Sequence, residues 1–336
     1  MAKEATIQKI IFVEPIENAD SLDKVTIMGW QVVARRGEFT PGALVVFVEL
    51  DSILPEKKEF EFMRSRKFRV KTARLRGVLS QGIAFPLMIL PEGTEITEGF
   101  DVSEIMGVTH YEKPVPGGQT GGKVRSNFPP YVSKTDEPRI QSNLDLLDEM
   151  KGLECVATVK INGTSATYIL KDGDYHVCSR NNSFKLDDPD NEKNVYIQIG
   201  KKYDMKSKLE SMGGNFAIQG EIAGPGIQKN QLGLKELDFF VFNIYNIDLQ
   251  KYMGSAQMNE TCFSLGLKPV PIDIFFKFDH TLEDLLDMAQ GRYYGTQQNP
   301  REGIVIRPVT EMFSGVLRGR MSFKVLNNTY LEKEKE

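Results

Sequence analysis

The stretch CVATVKINGTSATYIL, residues 155–170, carries two short runs rich in β-branched residues on either side of Asn162-Gly163. The runs read as a strand pair, with Asn-Gly as the tight turn and Gly163 supplying the positive φ that such a turn demands. Lys160 then sits with its amine at a hairpin edge, where a solvated lysine is the simplest reading. Working outward, NFAIQGEIAG (215–224), LDFFVFNIYNI (237–247), GIVIRPV (303–309) and MSFKVLN (321–327) are further strands. VYIQIGKKYDMKSKLESMG (195–213) reads as a helix ending in Gly-Gly. TLEDLLDMAQGRYYG (281–295) reads as a second, with Thr281 as N-cap and Glu283 and Asp284 in its first turn. The expectation is an α+β domain with antiparallel sheets and no internal repeat.

Toward the N-terminus, NLDLLDEMKG (143–152) reads as a short helix stopped by Gly152. Before it, KPVPGGQTGGKVRSNFPPYVSKTDEP (113–138) holds five Pro and four Gly without sustained periodicity, the pattern of a linker. IQKIIFVEPI (7–16), DKVTIMGWQVVA (23–34), ALVVFVEL (43–50), RVKTARLRG (69–77) and GIAFPLMIL (82–90) alternate β-rich runs with turn signals. Five short strands at this spacing suggest a small OB-like β-barrel. The expected division is an OB-like RNA-binding domain over 1–112, a linker over 113–130 and the α+β domain over 131–336.

Composition sets outer limits. A chain of 336 residues with 40% hydrophobic and 26% charged residues is long enough for two cores and lacks the bias of a disordered or fibrous protein. Lys+Arg 42 against Asp+Glu 46 leaves a net charge of −4, so any attraction to nucleic acid rests on a local patch. Cys155, Cys178 and Cys262 form no C-x-x-C pair, and His110, His176 and His280 lie far apart, which argues against a structural zinc site. The first twenty residues show no signal-peptide pattern, and no apolar stretch is long enough to span a bilayer. The reading is an intracellular protein with free thiols, cytoplasmic by default, with no membrane association and no obligate protein partner.

Downstream of Lys160, in order, come SRNNSF with Arg180, QGEIAGPGIQKN with Glu221, FFVFNIYN with Phe242, REGIVIRP with Glu302 and SFKVLNN with Lys324. Each places polar groups at the end of an apolar strand, an arrangement suited to a cleft that binds a polyphosphate and a metal.

This ordered series, from about Arg139 to Asn327, resembles the covalent nucleotidyltransferase superfamily of ATP-dependent DNA and RNA ligases and mRNA capping enzymes. Asn162 in the lysine motif, the form of QGEIAGPGIQKN, and KTDEPRIQ upstream are similar to RNA ligases. With a β-rich domain in front, the chain resembles Deinococcus-type RNA ligases with an N-terminal OB domain. The resemblance implies that Lys160 attacks the α-phosphate of ATP to form lysyl-AMP. The AMP then passes to an RNA 5′-phosphate, and a 3′-OH displaces it, sealing ends as in repair of nicks. It further implies that Glu302 holds Mg²⁺ or Mn²⁺, with Glu221 on the ribose hydroxyls or the metal's water. Val159, Asn162, Arg180 and Arg139 would line the nucleotide site. Phe242 either stacks on adenine or enters the core, since alternation buries some aromatics of its strand. A lysine of reference pKa near 10.4 needs neighbouring positive charge, such as Lys324 and the metal, to be neutral for attack. Two departures stand out. Asn243 occupies the place of a common Asp, and Lys324 has no second lysine two positions away, leaving Arg318 or Arg320 as substitutes.

FMRSRKFRVKTARLRG (62–77) holds seven Lys or Arg and no acid. In a strand, Lys67, Arg69 and Lys71 share one face while Phe68 and Val70 enter the barrel, with Arg74 and Arg76 continuing the series. Arg69, Lys71, Arg74 and Arg76 are the expected RNA-phosphate contacts. Other readings are a DNA ligase, a GTP-dependent capping enzyme, or a non-catalytic RNA-binding module.

Overall fold

The computed structural model describes residues 3–111, 121–293 and 299–333. They form two compact units: 3–111 with 138–145 and 331–333, and 121–137 with 146–293 and 299–330.

In the first unit, β1 (Ala5–Pro15), β2 (Leu22–Ile27), β3 (Trp30–Arg35), β4 (Leu44–Val48) and β5 (Ile83–Pro86) form one antiparallel sheet in the order β3-β2-β1-β4-β5. The curl originates in β1. Ala5–Lys9 pair with β4, Ile10–Pro15 pair with β2, and a bulge between Ile10 and Phe12 lets one strand serve both halves. Ile7, Val25, Ile27, Trp30, Val46 and Phe47, all at most 1% exposed, are core residues of this unit. This is the OB-like half-barrel that the strand spacing suggests.

RVKTARLRG departs from the expectation. Lys58–Arg66 form a 3-10 helix, Lys67 and Phe68 have positive φ (50° and 58°), and only Ala73–Leu75 pair as a strand, with Val78–Ser80. The alternation that would put Lys67, Arg69 and Lys71 on one solvent face is therefore broken. Arg69 is 7% exposed, bonds Asp51 Oδ1 at 2.6 Å and lies 3.6 Å over the Tyr111 ring. It is a core cation and not an RNA-facing one. Lys71 is half-buried, Arg76 is exposed, and Arg74 bonds the Gly77 carbonyl and pairs with Glu332.

The segment 138–145 packs with this unit although the sequence suggests the following domain. Arg139 bonds Asp51 Oδ2 at 2.6 Å and the Leu50 carbonyl at 3.3 Å, Trp30 Nε1 donates to Ser142 Oγ, and Gly29 N donates to the Gln141 carbonyl.

In the second unit, β6 (Val124–Asn127) lies within the expected linker. It pairs with a strand at Asn182–Phe184, while Phe128 and Val132 are buried, so residues 121–132 are part of the folded unit. The rest of the expected linker, 113–120, lies outside the described residues. A wholly exposed edge strand has no apolar alternation for a sequence reading to find.

The helix at 143–152 is Asp145–Met150, followed by Gly152 at φ 83°. Next come β7 (Glu154–Lys160), β8 (Thr164–Lys171), β9 (Asp174–Cys178), β10 (Asn182–Phe184), β11 (Phe216–Ala223), β12 (Asp238–Asn246), β13 (Ile272–Lys277), β14 (Gly303–Pro308) and β15 (Phe323–Leu326). One sheet runs β6-β10-β9-β8-β11-β12 and continues through Lys251–Tyr252; the other runs β13-β7-β14-β15.

The expected β7–β8 hairpin is absent: the two strands belong to different sheets. Gly163 is required for space and not for a turn φ. A Cβ there would stand 2.2 Å from the Ile222 carbonyl oxygen. The helical run 195–213 is also two helices, Val195–Lys202 and Met205–Ser211, broken at Asp204 with φ 47°. Leu282–Ala289 carries the expected Thr281 cap, completed as a capping box by Asp284.

Asp51 provides a test of the first unit. Burial pushes its pKa up, but Arg139 and Arg69 outweigh that and hold it at about 2, below the usual 3.8. Its folded-state pKa is thus lower than its unfolded one, so its contribution, about 2 kcal/mol, is present above pH 4 and lost as pH falls through 2. Asp51→Asn, which removes the negative charge between two cations, should cost about 3 kcal/mol at pH 7 by urea denaturation. The gap from wild type should shrink at pH 2 to 3.

Candidate active site

The site grows from the register of the four-stranded sheet. Lys160 pairs with Gly303, Thr158 with Val305, Val156 with Arg307, and Val305 in turn with Lys324. Cross-strand partners share a face, so Lys160, Lys324 and Arg307 lie on the same side of the sheet. Glu302, one residue before β14, reaches Lys160 Nζ through Oε1 at 2.7 Å; the lysine side chain is 25% exposed and the glutamate 14%.

The other sheet brings Glu221. It pairs with Ser165 and Phe240, and its Cγ would lie 2.9 Å from a Cβ built at Gly163. Glycine at 163 thus lets the chain leaving Lys160 run against β11. Both carboxylates act on Tyr293, whose hydroxyl pKa is pushed up by burial first, then by Glu302 and, to a lesser degree, by Glu221. Asn162 Nδ2 bonds the Tyr330 hydroxyl, while its buried Oδ1 has no hydrogen-bond partner among the described residues.

Phe242 is the extra residue of a bulge, because Gln219 pairs with Asn243 and Gly220 with Val241. It is half-buried and packs, with Phe240, against a cluster of Val159, Ile161, Ala223, Val270 and Tyr293. Its ring is therefore neither wholly core nor wholly solvent. Its carbonyl accepts from Arg307 Nη1 at 2.9 Å, and Arg307 Nη2 bonds Glu137 at 2.8 Å. Burial pushes Glu137 up, but Arg307 and Arg320 overcome this and hold it below its ordinary range. That buried pair fixes the backbone of the bulge.

Asn243 is 4% exposed, donates to Gln219 Oε1 at 3.1 Å and accepts from Arg320 Nη1 at 2.6 Å. Arg320 also pairs with Glu311 and stacks over Tyr252 at 4.0 Å. Both are committed to a buried network, so Arg320 is not an available replacement for a second lysine beside Lys324; Arg318 stands at φ 50°. Arg180 pairs with Asp136 at 2.7 Å. Arg139, in the first unit, pairs with Asp51 at 2.6 Å.

Among the described residues, no three His, Cys, Asp or Glu cluster as metal ligands. Glu302 beside Lys160, with Glu221 against Gly163, still suits Mg²⁺ or Mn²⁺, hard ions that take oxygen donors and keep most of their water. Sequence reasoning passed over Tyr293 and Arg307. Arg307 had a signal, a charge inside the apolar strand GIVIRP; Tyr293, a lone aromatic after a helix, had none.

The RNA ligase family profile matches residues 153–326, more than half of the chain. The chain belongs to the RNA ligase family. An OB-fold domain profile matches residues 4–87 of the ligase. A Naegleria gruberi RNA ligase variant solved with AMP and Mn is 33% identical, with TM-score 0.90 and 99% of each chain covered. A second variant solved with ATP and Mn, and the Naegleria gruberi enzyme with PPi, give the same figures. No curated protein sequence is significantly similar.

Gly303 gives a test of the ligase's site. Its φ is 154°, and a Cβ would meet the Val325 carbonyl oxygen at 2.1 Å. Gly303→Ala should therefore force β14 and β15 apart, lowering stability by about 3 kcal/mol in urea titration and impairing the adjoining Glu302.

Proposed function

We propose that this RNA ligase uses ATP and seals RNA 5′-phosphate to 3′-OH ends through Lys160. The observation that carries the reading is the 2.7 Å approach of Lys160 Nζ to Glu302 Oε1, on a sheet face shared with Lys324. In the first step Nζ bonds the α-phosphorus of ATP, the bond to the bridging oxygen breaks, and pyrophosphate leaves. Glu302 Oε1 is within reach of the proton that Nζ must lose. An oxygen of the RNA 5′-phosphate next attacks the same phosphorus and the P–N bond breaks. The RNA 3′-OH then attacks the 5′-phosphorus, and AMP leaves with the electron pair.

Lys324 neutralises charge on the phosphates during each transfer. Mg²⁺ or Mn²⁺, held by Glu302 and by Glu221 or its water, would add positive charge at the phosphates. The Naegleria gruberi relatives solved with ATP or AMP and Mn support this choice of nucleotide and metal. Phe242 offers a half-buried ring for adenine, beside the apolar wall that includes Val159. Asn162 Oδ1 offers an acceptor for a nucleotide hydroxyl, and Arg180 a guanidinium for phosphate or ribose. In the OB-like unit, Lys71, Arg74 and Arg76 bind RNA phosphates at a duplex nick.

Incubation with ATP labelled on the α-phosphate should leave acid-labile, alkali-stable label on the denatured wild type and none on Lys160→Ala. Absence of label from folded wild type, first stripped with pyrophosphate, would overturn the reading, and label from GTP alone would favour a capping enzyme. Neutralising Lys71, Arg74 and Arg76 together should reduce RNA joining at least tenfold while labelling stays within twofold. An equal fall in both would remove these residues from the RNA site.

A further inference from the structure

The last ladder pair between β7 and β14 is Lys160 with Gly303. Beyond it the strands diverge, because β7 leads toward the other sheet and β14 arrives from Glu302. The two groups on which the chemistry depends, Lys160 and Glu302, stand at this fraying point. Strand ends without cross-strand bonds open readily, since nothing pairs their backbone amides.

One oxygen closes the gap. The Tyr293 hydroxyl donates to the Lys160 carbonyl at 2.9 Å and accepts from Asn162 N at 3.0 Å and from Glu302 N at 3.1 Å. A phenol offers one donor and two acceptor sites, and these three bonds use all of them. The residue is 5% exposed and packs among Val159, Ile161, Ala223 and Val270, so apolar packing holds the ring in place. The hydroxyl thus replaces the ladder where the ladder ends, on both strands at once.

We infer that Tyr293 is a positioning residue for nucleotidyl transfer, holding the backbones of Lys160 and Glu302 so that Nζ and Oε1 meet in attacking geometry. It does not touch the reacting atoms. Its effect is on geometry, where a misplacement of about 1 Å costs on the order of a hundredfold in rate. Phenylalanine would keep the packing but remove these three bonds, the buried one to Asn162 N among them.

The inference rests on Lys160 as the nucleophile, and labelling of wild type by α-labelled ATP tests that basis separately. Given wild-type labelling, Tyr293→Phe should lower the maximal rate of self-adenylylation at least tenfold while KM for ATP stays within threefold. Tyr203→Phe removes another half-buried hydroxyl, one that bonds Asp238, and should leave both values near wild type at a similar melting temperature. If Tyr293→Phe does not fold, p-aminophenylalanine at 293, which keeps the ring and a donor but is a poorer acceptor, should fold and label at an intermediate rate. A maximal rate within twofold of wild type in the folded variant, or a loss seen only in KM, would overturn the inference.

Discussion

The site depends on one registration, that of Glu154–Lys160 against Gly303–Pro308. A strand has a side-chain period of two, so a slip of one residue would turn Lys160 to the opposite face and move Glu302 away from it. Gly303 protects the register, because its backbone lies too close to Val325 for any larger residue. The ion pair of Lys160 and Glu302 follows from that constraint, and so does the placement of Lys324 on the same face.

The second sheet is brought up by small residues and held by buried charge. Gly163 allows the chain to pass against Ile222, and Gly220 lies so near Phe239 that a Cβ would stand 2.5 Å from its ring. Arg307 then joins the two sheets, linking Glu137, Ser322 and the Phe242 carbonyl, while Arg320 links Asn243 and Glu311. Burying such charges is costly unless every partner is present, so the network specifies one arrangement of the bulge that presents Phe242. The first unit uses the same device. Asp51, between Arg69 and Arg139, fastens the segment 138–145 to the OB-like sheet.

These networks lie beyond the reach of a local sequence reading. Arg69 is expected to contact RNA phosphates and Arg139 to line the nucleotide site, and in the first unit both pair with Asp51. Asp51 lies 18 positions from Arg69 and 88 from Arg139, and no local pattern reveals the pairing. Asn243 suggested a lost ligand site; it is a buried amide bridging Gln219 and Arg320. Asn-Gly at 162–163 has the composition of a hairpin turn, yet β7 and β8 part into separate sheets. Glycine answers to close approach as well as to positive φ, and composition does not distinguish the two.

What the chain alone determined was the inventory: the OB-like strands, the α+β domain, and the ordered series of Lys160, Arg180, Glu221, Phe242, Glu302 and Lys324. Those features are local, written in strand alternation, helix caps and short motifs. The tertiary structure decided which of these groups meet, which cations are buried, and that Tyr293 stands between Lys160 and Glu302. Pairing between residues more than a hundred positions apart is set by sheet register and packing, and no window of sequence contains it.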